Sequence, residues 1–331
     1  MVHSFLLLTT SSTKAAHTKR AAFLRRSIIM NDNHFLASEY PPSGPEHATF
    51  HVIPAPLEAS VSYGSGTRLG PAALLAASQQ LEAQENSMTP CAAGVHTTAA
   101  VDCSDSVKGA LARIEARVTA ALAVGAVPVT LGGEHTVTLG ALRALCGTRN
   151  GEQGPLGVIQ FDAHADLRSS YEGNMYSHAS VMYRAVTDLP VRLAQFAVRD
   201  ICSEEVEVRR ARNVWHHDAE ELTNCAASGQ GLPDPLLPPD FPRDIYISFD
   251  VDGLDASLMP ATGTPSPGGL FWHDTRRLLT QLVQGRRVLG LDVVELAPIK
   301  GLHHADFTAA KLTHLLMGLA HQANSVCGGR A

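Results

Sequence analysis

The chain has 331 residues, 45% hydrophobic, 18% charged and 5% aromatic, so it carries enough apolar material for one large core and is no extended polar chain. Its formal net charge is -6 and its 26 Lys and Arg are scattered, which excludes a basic footprint for nucleic acid. The six cysteines, Cys91, Cys103, Cys146, Cys202, Cys225 and Cys327, form no C-x-x-C pair, so neither a disulfide framework nor a zinc ribbon is expected and a reducing, cytoplasmic setting is.

Residues 1–30 carry Lys14, Lys19, Arg20, Arg25 and Arg26, no Asp or Glu, and the apolar patch Phe5 to Leu8. That composition suits a transit peptide, which would mean a mitochondrial address, or a weak signal sequence; it equally suits a disordered extension or a start at Met30. Residues 31–48, with Pro41, Pro42, Gly44 and Pro45, read as linker, so 1–48 is expected to be an unstructured extension. From Phe50 onward, short apolar β-rich runs alternate with amphipathic stretches, the pattern of βαβ units and a parallel sheet covered on both faces.

Strands are predicted at 50–54, 127–131, 156–161, 192–198, 245–249 and 288–293. Helices are predicted at 71–83, 106–123, 136–145, 179–186, 203–211, 273–283 and 307–320. Asp105 or Ser106 suits the cap of the second helix and Asp306 that of the last, and Gly125 suits a C-terminal stop. The most apolar run, 120–133, is shorter than the roughly 20 residues of a membrane span and contains Gly125 and Pro128, so no transmembrane helix is expected. The Pro-dense stretch 224–242 reads as a surface loop. No repeat or second core appears, giving one domain over 49–324 and a short tail at 325–331.

The chemistry-bearing residues follow three strands: Gly132-Gly133-Glu134-His135, Asp162-Ala163-His164-Ala165-Asp166, and Asp250-Val251-Asp252. In open α/β sheets ligands bind beyond the carboxyl ends of the strands. If the chain stays extended there, residues two apart share a side, so Asp162, His164 and Asp166 converge, as do Asp250 and Asp252. Taken singly, the first motif is a turn, the second a solvated loop, and the third an acidic loop without the remaining EF-hand spacing. Taken together, four carboxylates and two imidazoles in one crevice repel unless a divalent cation joins them.

Six ligands exceed what one ion usually takes from protein, so two ions bridged by carboxylates fit better, and the oxygen-rich donor set favours Mn²⁺. Two such ions about 3.5–4 Å apart share a water, lower its pKa and present it as a nucleophile, which is metal-assisted hydrolysis.

The blocks G-G-E-H-T at 132–136, F-D-A-H-A-D at 161–166, S-H-A-S at 177–180, S-F-D-V-D-G-L-D at 248–255, G-T-P-S-P-G-G at 263–269 and D-V-V-E-L-A-P at 292–298 resemble the ureohydrolase superfamily of arginases and agmatinases, across 50–320. The resemblance implies a three-layer α/β/α fold around a parallel eight-stranded sheet, two Mn²⁺ per chain, and hydrolysis of a guanidino compound to urea and an amine. It implies His135, Asp162, Asp166 and Asp250 as ligands of one metal and Asp162, His164, Asp250 and Asp252 as ligands of the other. It gives His178 proton handling beside the substrate, Glu295 the pairing with the guanidinium, and Thr264 a place near the reacting group. A homo-oligomer, trimer or hexamer, is also implied, with no nucleic-acid or membrane partner.

The loop D-L-R-S-S-Y-E-G-N-M-Y-S-H-A at 166–179 and S-Y-G-S-G-T-R-L-G-P at 62–71 resemble agmatinases rather than arginases. Agmatine, hydrolysed to putrescine and urea in polyamine biosynthesis, is therefore the expected substrate. Guanidinobutyrase, guanidinopropionase, arginase and formimidoylglutamase activities are the alternatives within the family, with Arg168 the candidate partner for an acidic substrate. A deacetylase-like single-zinc enzyme and a non-catalytic homologue are the alternatives outside it. Glu134 in place of Asp, Ala256 in place of Pro and Ala297 in place of Asn depart from the family pattern at positions that ligate no metal.

Overall fold

The apolar runs pair side by side because residues buried on both faces need backbone partners and covering helices at once. In the computed structural model, which describes residues 33–149, 153–229 and 231–328, the strands are β1 (Phe50–Ala55), β2 (Val95–Thr97), β3 (Val127–Gly132), β4 (Leu156–Phe161), β5 (Val191–Phe196), β6 (Trp215–His217), β7 (Asp244–Asp250) and β8 (Arg287–Val294). Helices are α1 (Gly70–Ser78), α2 (Val107–Ala123), α3 (Val137–Gly147), α4 (Val181–Asp188), α5 (Ser203–Ala211), α6 (Ala219–Ala227), α7 (Trp272–Leu282) and α8 (His303–Gly328).

All strand pairs are parallel, in the order β2-β1-β3-β8-β7-β4-β5-β6. Alternate residues of each strand feed two cores, one on each face. Phe50 and Val52 join Leu74, Leu278 and Leu315 of α1, α7 and α8, while Ile53 and Ala55 join Leu111, Leu139 and Met182 of α2, α3 and α4. This is the expected three-layer α/β fold around an eight-stranded parallel sheet.

The chain lays down β3, skips two strand positions to place β4, and returns at the end to fill the gap with β7 and β8. Crossovers therefore diverge at the middle of the sheet, leaving a crevice beyond the carboxyl ends of β3, β8, β7 and β4. Register aligns these exits: Phe161 pairs with Phe249, Phe249 with Val293 and Val293 with Leu131. The residues that follow, Asp162, Asp250, Glu295 and His135, are thereby delivered to one place.

Several expectations are corrected. Residues 33–48 are no loose linker: Phe35 and Leu36 are buried, and their amides donate to Thr97 Oγ1 and Ser78 Oγ, both at 3.0 Å. Residues 1–32, with the basic tail, lie outside the described residues. The two edge strands β2 and β6 have three residues each, too short to show a period. The loop expected from 224 begins only after α6, whose Glu220 and Glu221 favour a first helical turn. The last helix starts at His303, which puts Asp306 inside its first turn and not at the cap. Ser106 does cap α2, accepting from the Gly109 amide at 3.1 Å, and Gly125 takes a φ of +77° after it.

Candidate metal centre

Convergence of the acidic residues arises from turns, not from strand alternation as the spacing suggests. β4 ends at Phe161, the chain turns, and Asp166 adopts a φ of +53°. Asp250 closes β7 and Asp252 sits in the single 3-10 turn Val251–Gly253, where its amide donates to Asp250 Oδ1 at 2.9 Å. Short turns tightened by carboxylate-to-amide bonds hold the side chains more rigidly than an extended end would. His164 N–H donates likewise to Asp162 Oδ1 at 2.6 Å, and Ala163 N–H to Asp252 Oδ1 at 2.9 Å.

All six expected ligands meet. His135 Nδ1 lies 3.1 Å from Asp162 Oδ2, 2.9 Å from Asp166 Oδ2 and 3.5 Å from Asp250 Oδ2. His164 Nδ1 lies 3.0 Å from Asp252 Oδ2 and 3.5 Å from Asp162 Oδ1. Two ligand groups result, His135-Asp162-Asp250 and Asp162-His164-Asp252, with Asp162 common to both, whereas Asp250, expected to bridge as well, falls in the first group alone.

The donor set suits cations. Ser248 Oγ donates to Asp292 Oδ1 at 2.9 Å, so toward His135 Nε2, also at 2.9 Å, it accepts. Nε2 therefore carries the proton, and Nδ1 presents its lone pair, without a hydrogen-bond partner, to three carboxylates. A lone pair facing anions in a fully buried pocket is stable only around positive charge.

The titration directions agree. Burial disfavours charging the two histidines, yet the facing carboxylates hold His135 well above its ordinary value and His164 up to about 12. Burial, then neighbouring carboxylates, raises Asp166 to about 7 and Asp250 well above the carboxylate range. Asp162 goes the other way: burial opposes, but His135 and His164 hold it below the usual range. Protons are thus drawn in where a cation would balance the charge.

Beside this cluster opens a cavity of about 310 Å³ lined in part by Asp166, Asp250, Asp252, His178, Thr264 and Glu295. Glu295 follows β8 with a φ of +65°, costly for a non-glycine residue and maintained by its amide donating to Gly133 O at 2.8 Å. Its Oε1 accepts from His135 N–H at 2.6 Å, and burial pushes its carboxyl well above the usual range, so it too calls for a cation.

His178 is fixed from both sides. Ser60 Oγ donates to Glu134 Oε1 at 3.0 Å and therefore accepts from His178 Nδ1 at 2.9 Å, while Ser62 Oγ stands 2.8 Å from Nε2. The basic nitrogen is Nε2. Burial and the charges of His135 and His164 lower the His178 pKa to about 4, so the ring is neutral at physiological pH. Thr264 sits on the loop clamped by Arg199, whose guanidinium donates to the carbonyls of Asp252 at 2.6 Å and Ser266 at 2.8 Å.

Sequence reasoning did not find Ser60, Ser62, Ser248, Asp292 or the role of Glu134. Glu134 accepts the amides of Ala59 and Ser60 at 2.5 and 2.6 Å and so anchors the loop that holds His178. The only available signal was the odd Glu itself. Arg168 does line the cavity, with its guanidinium 5.6 Å from the Tyr171 ring centroid.

Residues 48–318 match the arginase family. An N(1)-aminopropylagmatine ureohydrolase from Synechocystis is 36% identical over 277 residues, covering 81% of this chain and 87% of that one. An agmatinase from Pyrococcus horikoshii is 29% identical over 289 residues, 85% and 95% of the respective chains. The crystal structure of agmatine ureohydrolase of Thermoplasma volcanium superposes with a TM-score of 0.74 at 29% identity, covering 92% of this chain and 99% of that one. With this match spanning the sheet, the clustered ligands and the cavity beside them, the chain belongs to the arginase family and is a hydrolase of the ureohydrolase type.

Proposed function

We propose that this chain hydrolyses agmatine to putrescine and urea, using two Mn²⁺ held by His135, Asp162, Asp166, Asp250, His164 and Asp252, with Asp162 shared. The observation that carries the reading is the Glu295 carboxylate, strained and half-buried at the cavity wall beside the cluster. A planar guanidinium satisfies such a group with two charge-assisted hydrogen bonds and is thereby oriented toward the cluster. When bound, the cations supply a water of lowered pKa as the nucleophile. His178, neutral and with Nε2 as its basic nitrogen, takes up a proton there and passes it to the departing amine, and Ser60 and Ser62 keep the ring in place. Thr264 borders the reacting group from the opposite loop.

Apart from the cluster, the cavity presents the carboxylates Asp200, Glu205 and Glu295 and a single guanidinium, Arg168, among its described lining residues. That balance favours a substrate cationic at both ends. A substrate extended by an aminopropyl group is the second reading, favoured by the 33–36% identical relatives named for N(1)-aminopropylagmatine.

The deciding measurement is urea release from Mn²⁺-loaded protein offered agmatine, N(1)-aminopropylagmatine, arginine and 4-guanidinobutyrate in parallel. Preference of about 100-fold or more for one of the first two over arginine is expected, since an unmatched carboxylate is strongly rejected. Preference for 4-guanidinobutyrate would overturn the substrate reading and make Arg168 the carboxylate partner.

A further inference from the structure

Behind the cluster, away from the cavity, a chain of side chains runs through the sheet to the surface. Gln160 of β4 and Gln195 of β5 are fully buried, and Arg209 of α5 is 6% exposed. Gln160 Nε2 donates to Asp162 Oδ2 at 2.7 Å; Gln195 Nε2 donates to Gln160 Oε1 at 2.6 Å and to Ala165 O at 2.7 Å; Arg209 Nε donates to Gln195 Oε1 at 2.8 Å. The two terminal nitrogens of Arg209 grip Asp218 in a fork, each at 3.0 Å.

Each link fixes the next. A guanidinium can only donate, so the carbonyl end of Gln195 must face Arg209 and its NH₂ must face Gln160. Gln160 is then forced to present its own NH₂ to Asp162. No amide in the series can flip without leaving two buried groups unpaired. The far end is anchored by a bidentate ion pair whose Asp218 is 38% exposed.

We infer that Gln160, Gln195 and Arg209 are positioning residues for Asp162, locking the carboxylate shared by the two ligand groups in the rotamer that serves both. The inference rests on the two-metal reading above. Partners behind a metal ligand commonly contribute 10–100-fold in metal affinity or activity. They act here on the one residue common to both groups, so both sites should weaken together. Glu295 receives no bond from the relay, whose one further contact with the cavity lining is Gln160 Nε2 donating to the His164 carbonyl at 3.4 Å, so substrate binding should be spared.

The test uses the full chain stripped with EDTA and titrated with Mn²⁺ alone, followed by kcat and KM for urea release and by the Tm of the metal-free form. For Gln195→Leu, Mn²⁺ affinity is expected to fall by about tenfold or more at both sites. Loss of kcat with little change in KM should accompany it. Asp218→Asn, at the half-exposed end where misfolding is no concern, is expected to move the same quantities by a smaller factor, about threefold. Unchanged Mn²⁺ affinity in both variants, whatever happens to the metal-free Tm, would reduce the relay to ordinary core packing and overturn the inference. Failure of the unsubstituted protein to take up Mn²⁺ would instead bring down the two-metal reading, and the relay's role with it.

Discussion

His178 illustrates how a single residue acquires a role from its partners. Taken alone it starts a short turn. Between Ser60 and Ser62 it becomes a neutral ring of defined tautomer aimed at the cavity. For His178→Ala, turnover should fall by about 10²–10⁴-fold while Mn²⁺ content stays at the unsubstituted level. Metal loss in that variant would show the ring to be structural. For Asp162→Asn, turnover should vanish together with metal uptake, because both ligand groups lose their shared carboxylate. The candidate ligands were legible in the sequence because Asp and His at three strand exits admit few other readings. Ser60 and Ser248, separated from the histidines they hold by 118 and 113 residues, were not. Serine carries no spacing rule, and only the fold tells which serines meet a histidine.

At the scale of elements, strong periodicity was readable and weak or context-set features were not. The six longer strands and seven of the helices follow their apolar patterns, whereas β2 and β6 exist because a neighbouring strand offers an edge. The turns beyond the strands depend on close approaches of backbone. A Cβ placed on Gly133 would lie 2.0 Å from Leu57 O, with no flexible side chain to yield. Gly133→Ala should therefore push apart the β3 exit and the 57–60 segment, costing at least about 2 kcal/mol and disturbing Glu134, His135 and Glu295 at once. A chemical-denaturation midpoint equal to that of the unsubstituted protein would show that the loop yields freely.

Helix α8 carries a different liability. His314 is fully buried, neither ring nitrogen has a partner, and its pKa is lowered to about 4, chiefly by burial and further by Lys311, against the pull of Glu85. Between pH 6.5 and about 4 the unfolded chain binds a proton there that the folded chain refuses, so stability falls as the pH drops through that window. His314→Leu should flatten the dependence by up to about 1.4 kcal/mol per pH unit. Denaturation midpoints at pH 4.5 and 7 check this; an equal pH dependence in both proteins would mean that the ring finds a partner when charged.

For the whole molecule, the fold and the cluster rest on separate supports. Both apolar cores lie against the sheet faces, reaching the ligand turns only through residues such as Ala165 and Val251 whose neighbours are the ligands, and most of their residues are contributed by helices and strands that carry no ligand. Removing metal should therefore leave the secondary structure intact and cost only the binding free energy. At 100 times the dissociation constant, each site contributes about 2.7 kcal/mol, so two sites give roughly 5 kcal/mol. At about 2–4 °C per kcal/mol for a domain of this size, titrating the EDTA-treated protein with Mn²⁺ should raise Tm by about 10–20 °C while the far-UV circular dichroism at 25 °C stays constant. Recovery of urea release should follow the same titration. A chain that unfolds on chelation would show the cluster to be part of the scaffold, with the four carboxylates too costly to keep together without it. A Tm indifferent to Mn²⁺ would show that this donor set is satisfied by protons alone and that another ion, or none, is its partner.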